Sequence, residues 1–456
     1  ESNVLSLSRN HKTASTGTTG DDRFISPELD RLVRQRARDL RLRKTDQQRA
    51  VRIVNHLIDS LVDFLKNNED QAFFKEVSVL TSGSYYEMVK INKPNEFDIM
   101  LKLKVPRVTL SALEEYDGLF YSVKLYKSTR LNVQHFLLED GRTISATKIK
   151  KEMHRLVRKF LGNYKGEGCW VMHRLQLTSP AITLELKPQN EEEDVLSLDI
   201  VPALEVLQGW PQAARAGPDI DRWLGKRCRR NFTSKAVYFV PKGPKAKNLK
   251  DEAKESWRIS FSHIEKEMIQ YHGNKRTCCE GPSNKCCRKL CLRLLKCLIE
   301  GLKQRFPKEL EPLSSYHGKT AFFHTLSVRE QDSFWAPGQL SVCFMKLFGD
   351  FERCAQSGTL FHFFVRGHNL FSPPVFPKRT LAFLTNALKE QGESGFPVLR
   401  EPSPTPALVS DNEPLIDPNS VNDTEGIVAC KGYNRYFFMG LCVFCVFVSA
   451  VIGCVF

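Results

Sequence analysis

The sequence predicts an α+β chain of two lobes, a mixed-sheet lobe entered through a long helix and followed by a helical lobe. Three observations predict it. Apolar residues recur at helical spacing from Pro27 to Lys66, five strand-like runs crowd between Val77 and Val201, and helical periods dominate from Trp257 to about Gln391. Across 456 residues the chain carries 67 Lys+Arg against 52 Asp+Glu, a net charge of +15, with 41% hydrophobic residues. That composition excludes a wholly disordered chain and fits roughly two to three domains or one large bilobal one. The basic excess favours a polyanionic partner.

Residues 1–24 are rich in Ser, Thr and Gly, lack an apolar period and read as a disordered arm; a sequence starting at Glu1 is expected to lack its native start. Leu29, Leu32, Val33, Ile53, Leu57, Leu61 and Leu65 then mark a long helix, broken at most once. It carries nine Lys/Arg between Arg31 and Arg52 against Asp39 and Asp46. Strands are expected at Val77–Thr81, Phe97–Val105, Tyr121–Leu125, Ala181–Leu186 and Val195–Val201. The expected division is an α/β lobe over 25–205 and a helical lobe over 206–399. A Pro-, Asn- and acid-rich linker (400–432) and a hydrophobic tail (433–456) complete it. The tail has no charge from Phe437 to Phe456, and Lys431, Tyr433, Arg435 and Tyr436 precede it. Twenty helical residues span about 30 Å, which predicts a C-terminal membrane anchor. A tail with no membrane role is the alternative, given its three Cys and two Gly.

The sharpest chemical signal is Gly83-Ser84, then Glu96-Phe97-Asp98-Ile99, then Asp199 alone in the apolar run Leu196–Val201. Phe97, Ile99, Leu101 and Leu103 alternate with polar positions. Period two therefore places Glu96 and Asp98 on one face of a strand, where two carboxylates can share a divalent metal. If the strand bearing Asp199 neighbours it, three acids converge. Phosphoryl transfer requires such hard cations on carboxylate oxygens, and a tight turn at Gly83-Ser84 offers amides and a hydroxyl to phosphates. Each part alone is unremarkable; in this order together they point to catalysis.

Fourteen cysteines are unevenly placed, six of them between Cys278 and Cys297. His272, Cys278, Cys279 and Cys286 offer four ligands within fifteen positions, a composition that suits tetrahedral structural zinc; a cluster of reduced surface thiols is the alternative. Cys287 and Cys291 belong to the following helix and are left out of the set. Cations run through Lys226, Arg227, Arg229, Arg230, Lys235, Lys242, Lys245, Lys247 and Lys250, with no acid from Gly225 to Lys250. Together with the N-terminal helix and the Cys-rich loop they favour sequence-blind polyphosphate binding.

The acid pattern resembles the template-free nucleotidyltransferase superfamily. The stretches TSGSYYEMVKINKPNEFDIMLKLKVPR, SWRISFSHIEKEMI, RTCCE, KCCRK and SSYHGKTAFFH closely resemble the vertebrate cyclic GMP-AMP synthase family over roughly residues 70–400. The resemblance implies a bilobal nucleotidyltransferase fold with a zinc thumb, acting as an innate immune sensor. Its reaction would join ATP and GTP into 2′,3′-cyclic GMP-AMP. Two magnesium ions, with manganese as a substitute, would sit on Glu96, Asp98 and Asp199, and Gly83-Ser84 would meet the triphosphate. Arg258, Ser260, Ser262 and Glu265 would touch nucleobases, Tyr316 would stack on a base, and Lys296 and Ser315 would contact phosphates. Zinc would take His272, Cys278, Cys279 and Cys286.

The same resemblance implies activation by double-stranded DNA on a platform including Lys266, Arg276, Lys285, Lys289 and Arg293, with two protomers clamping two duplexes. The location implied is cytoplasmic, with nuclear presence and tail anchoring as further options. Where the resembled family has Thr two residues after the third acid, this chain has Val201. A lost hydroxyl weakens polar reading of a purine edge by about 1 kcal/mol, so retained catalysis with relaxed purine order is expected. An RNA-sensing relative, an oligoadenylate-type polymerase and a catalytically silent nucleic-acid-binding protein are the rival readings.

Overall fold

A computed structural model describes residues 25–42, 44–91, 93, 95–127, 132–188, 195–244, 251–275, 277–281 and 284–401. The N-terminal arm, Arg276, Lys245, Lys247, Lys250, all but the first two residues of the linker and the hydrophobic tail lie outside the described residues. Among the described residues, no helix is long and apolar enough to cross a membrane.

One mixed sheet of nine strands organises the first lobe. Its strands are β1 (Ser78–Ser82), β2 (Glu96–Lys104), β3 (Val108–Ala112), β4 (Phe120–Leu125), β5 (Cys169–Met172), β6 (Ile182–Lys187), β7 (Leu196–Val206), β8 (Val237–Val240) and β9 (Trp257–Ser260). They run in the order β1-β2-β7-β8-β9-β4-β3, with the β5–β6 hairpin attached to the first half of β7. β2 and β7 are parallel over nine residue pairs, from Glu96 opposite Ser197 to Lys104 opposite Glu205. The alternation read in β2 is real: Phe97, Ile99, Leu101 and Leu103 are all buried.

The helices are α1 (Pro27–Asp39), α2 (Lys44–Lys66), α3 (Gly83–Tyr86), α4 (Ala146–Asn163), α5 (Lys226–Thr233), α6 (Asp251–Lys254), α7 (Ser262–Gln270), α8 (Arg288–Arg305), α9 (Ser315–Val328), α10 (Leu340–Ser357), α11 (Lys378–Glu393) and α12 (Pro397–Arg400). The long N-terminal helix is broken once, and its two pieces serve different lobes. Ile53, Leu57, Leu61 and Leu65 of α2 are buried, and α2 packs against α4. α1 instead packs on α8, α10 and α12. There Asp30 accepts from Ser341 at 2.6 Å and from Arg34 at 2.8 Å, and Arg34 donates onward to the Gly338 carbonyl at 2.8 Å. The chain entry thus ties the helical lobe to the sheet lobe.

The expected lobe boundary at 205/206 moves. β8 and β9 join the sheet, pairing with β7 and β4, so strand residues continue to Ser260. Both have four residues, too short for period two to separate them from the helical pattern around Trp257. β5, also of four residues, escaped the sequence reading for the same reason.

Candidate active site

The three acids sit on the two central strands. Asp98 and Asp199 are directly opposite one another in the parallel β2–β7 register, and Ser82 at the end of β1 faces Asp98 from the other side. Gly83 follows with φ +78°, and a Cβ there would lie 1.9 Å from Asp98 Oδ2. A side chain is excluded on both counts. Gly83-Ser84 then opens the single-turn helix α3, which lies against β2.

Burial, and after it the charges of Asp199 and Glu96, push the Asp98 carboxyl up to about 6. Burial also raises the Asp199 carboxyl, against the Thr183 hydroxyl, which donates to its Oδ1 at 2.6 Å. Two hard carboxylates side by side, mutually repelling and short of counter-charge, fit a divalent cation. Glu96 does not yet join them: its carboxylate is paired with the buried Lys90 ammonium. Among the described residues, the three acids do not bring one oxygen each within 4.8 Å of one another.

The opposite wall comes from α7, β9 and the helical lobe. Tyr316, near the start of α9, donates its hydroxyl to Glu265 Oε1 at 3.1 Å and meets His362 Nε2 at 2.9 Å. Lys319, one turn later, donates to Glu265 Oε2 at 2.7 Å and to Glu87 Oε1 at 2.8 Å, joining both walls. Arg258 lies near Tyr316 and Glu265, burial drawing its guanidinium down and their charges opposing that. Ser260 and Ser262 adjoin, and Ser262 reaches Met100 Sδ at 3.0 Å. Ser315 is the first residue of α9. Lys296, pulled down to about 8 by burial, donates to the Val89 carbonyl at 3.1 Å. Val201 packs beside Met100, Ala203, Tyr238 and Val240. Glu87, Lys90, Thr183, Lys319 and His362 were not singled out from the sequence. Lys319 alone had a usable signal, lying one helical turn beyond Tyr316.

Three of the cations expected on a polyanion platform are partly exposed and also make contacts within the chain. Lys266 donates to Thr81 Oγ1 at 2.6 Å, its ammonium 5.3 Å from the Tyr86 ring centroid. Arg293 donates to the Met88 carbonyl at 2.8 Å, and Lys289 lies against Met88 Sδ. Among the expected five, Lys285 is exposed and Arg276 lies outside the described residues.

Between α7 and α8 a loop brings one ligand atom each from His272, Cys278, Cys279 and Cys286 within 4.8 Å of one another. His272 Nδ1 is bonded to the Ile269 carbonyl at 2.6 Å, so Nε2 faces Cys286 Sγ at 3.2 Å. Three thiols and an imidazole oriented from behind fit structural zinc. Cys287 and Cys291 stay outside the set, buried at the start of α8. The loop base is held separately. Asp332 accepts from Asn274 N at 2.9 Å, Lys275 N at 3.1 Å and the buried Arg288 at 2.9 Å, contacts that no local spacing reveals.

Two expectations follow. Since Asp98 titrates higher in the folded protein than in the unfolded chain, the folded protein holds a proton between about pH 4 and 6 that the unfolded chain has released. Ionising Asp98 therefore destabilises the protein as pH rises through 6. Without added magnesium, Asp98→Asn should be more stable than the parent by about 3 kcal/mol at pH 8, a margin closing as pH falls below 6 in urea unfolding. The second concerns zinc: elemental analysis should find about one zinc per chain, lost together with several degrees of Tm in Cys279→Ala. Full stability without zinc would contradict it.

Comparison with known proteins agrees with this architecture. Residues 85–271 match the Mab-21 protein nucleotidyltransferase domain and residues 287–390 the Mab-21 protein HhH/H2TH-like domain. A cyclic GMP-AMP synthase from Mus musculus is 39% identical over 385 residues, covering 84% of this chain and 73% of that protein. One from Sus scrofa is 38% identical over 363 residues, 79% of this chain and 70% of that protein. A cyclic GMP-AMP synthase-like receptor from Magallana gigas is 25% identical over 357 residues, 76% and 56% of the two chains. The chain belongs to the cyclic GMP-AMP synthase family and is a nucleotidyltransferase of that type.

Proposed function

We propose that this enzyme converts ATP and GTP into 2′,3′-cyclic GMP-AMP and that double-stranded DNA activates it, as an innate immune sensor would require. The observation that carries the chemistry is Asp98 beside Asp199 in one parallel register, with Gly83-Ser84 at its edge. Magnesium, or manganese, would be held by Asp98 and Asp199 with Glu96. When bound it would supply the positive charge that phosphoryl transfer needs on the triphosphate and the attacking hydroxyl. Ser84 and the amides of α3 would meet phosphate, joined by Lys296 and Ser315. Asp199, steadied by Thr183, would orient the ribose hydroxyl. Tyr316 would stack on a purine, while Glu265, fixed by Tyr316 and Lys319, reads its edge with Arg258, Ser260 and Ser262. Val201, bringing methyls where the resembled family has a hydroxyl, should loosen purine order.

Activation rests on like charges gathered beside the loop after Gly83. Arg41 and Arg293 lie close enough for Arg41 to weigh against the Arg293 guanidinium, and Arg293 acts likewise on Lys289. Crowded cations fit a phosphate backbone, whose binding would be salt-dependent and sequence-blind. Arg276, Lys285 and Lys266 would extend that surface, the zinc thumb would stiffen it, and two protomers would share two duplexes.

Incubating the full chain with ATP, GTP and magnesium, with either DNA or RNA duplex, and identifying products by mass spectrometry tests this reading. Duplex DNA should raise cyclic GMP-AMP synthesis at least tenfold, with minor cyclic di-purine products, and Lys289→Glu/Arg293→Glu should lose the stimulation. A linear 2′,5′-linked ladder, stimulation by RNA alone, or an unchanged response in the double variant would overturn the corresponding part.

A further inference from the structure

Lys90 is a buried lysine, 8% exposed, whose ammonium is paired with the Glu96 carboxylate. It lies on the segment that begins at Gly83, and that segment is pinned by the helical lobe. Lys319 holds Glu87, Arg293 holds the Met88 carbonyl and Lys296 holds the Val89 carbonyl. Met88 sits among these bonds at φ +61°, a left-handed conformation that a Met does not favour. Its side chain is 53% exposed. These contacts act together with local ones, Met88 N to the Tyr85 carbonyl and Val89 N to the Ser84 carbonyl at 3.0 Å each, to hold the backbone that delivers Lys90 to Glu96.

We propose that Lys90 is an internal competitor for the catalytic cations: in the resting enzyme its ammonium occupies Glu96, and divalent metal gains the third carboxylate only when Lys90 withdraws. This rests on the reading of Glu96, Asp98 and Asp199 as the metal-holding acids. An ammonium and a divalent cation cannot both take the same carboxylate oxygens, so a bound metal and the Lys90–Glu96 pair exclude one another. Release of the Met88 carbonyl by Arg293 would free the segment to draw Lys90 off Glu96 and into solvent.

The test is manganese binding to the full chain without nucleotide or duplex, read by the electron paramagnetic resonance signal of free Mn2+. Lys90→Met keeps the aliphatic stem and removes the charge, and should tighten Mn2+ about tenfold, with Lys90→Arg matching the parent. In the Glu96→Gln background Lys90→Met should change nothing. Equal tightening there would show a long-range charge effect and overturn direct competition, as would unchanged affinity in the single variant. Should Lys90→Met and Lys90→Gln both fail to fold, the parent decides by acylation footprinting. Lys90 should be protected without Mn2+ and become reactive at saturation, and equal protection in both would overturn the proposal. If Asp98→Asn leaves parent Mn2+ binding unchanged, the metal-site reading itself fails, separately from the role of Lys90.

Discussion

Two carboxylates held abreast on adjacent strands are the constraint around which the rest is arranged. Asp98 and Asp199 stand opposite one another in a parallel register that a slip of one residue would break, turning every side chain of β2 to the other face. Burying like charges together is unfavourable unless something positive arrives or one of them keeps a proton. The raised Asp98 carboxyl is the local sign of that cost. Gly83 follows because nothing larger fits against Asp98, and Thr183 follows because it steadies the oxygen of Asp199 that faces it.

The helical lobe is bound to this pair through cations. Lys319, Lys296 and Arg293 reach from α8 and α9 to Glu87 and to the carbonyls of Val89 and Met88. A polar interface of this kind rests on discrete pairs, each cation set on an acid or a carbonyl across the cleft. That makes it suited to switching, where an apolar interface would simply stay closed. The same lobe is secured at its back by α1, whose Asp30 and Arg34 bond to residues around α10, so movement at the cleft need not separate the lobes.

What could be read from the sequence divides along a physical line. β2 was legible because one of its faces is buried and the other polar, the condition under which period two carries information. The thumb was legible because cysteines and a histidine declare their chemistry by type, and the structure gathers those four side chains together. The register that sets Asp199 opposite Asp98 joins residues a hundred positions apart, and no local pattern fixes it. β8 and β9 were too short to show alternation. The contacts that Lys266, Lys289 and Arg293 make within the chain were not legible for another reason: a cation's partner is decided by the surface brought against it, and composition shows only the charge. Lys90 and Lys319 looked like two more basic residues in a basic chain until their carboxylates were placed.

The central claim, that this acid pair exists to hold metal beside a nucleotide, is tested most directly by locating the metal. Crystals grown with Mn2+ and a non-hydrolysable triphosphate, measured at the manganese absorption edge, should show anomalous density between Asp98 and Asp199 and against the phosphates. Strong density elsewhere with none between those two carboxylates would contradict the account.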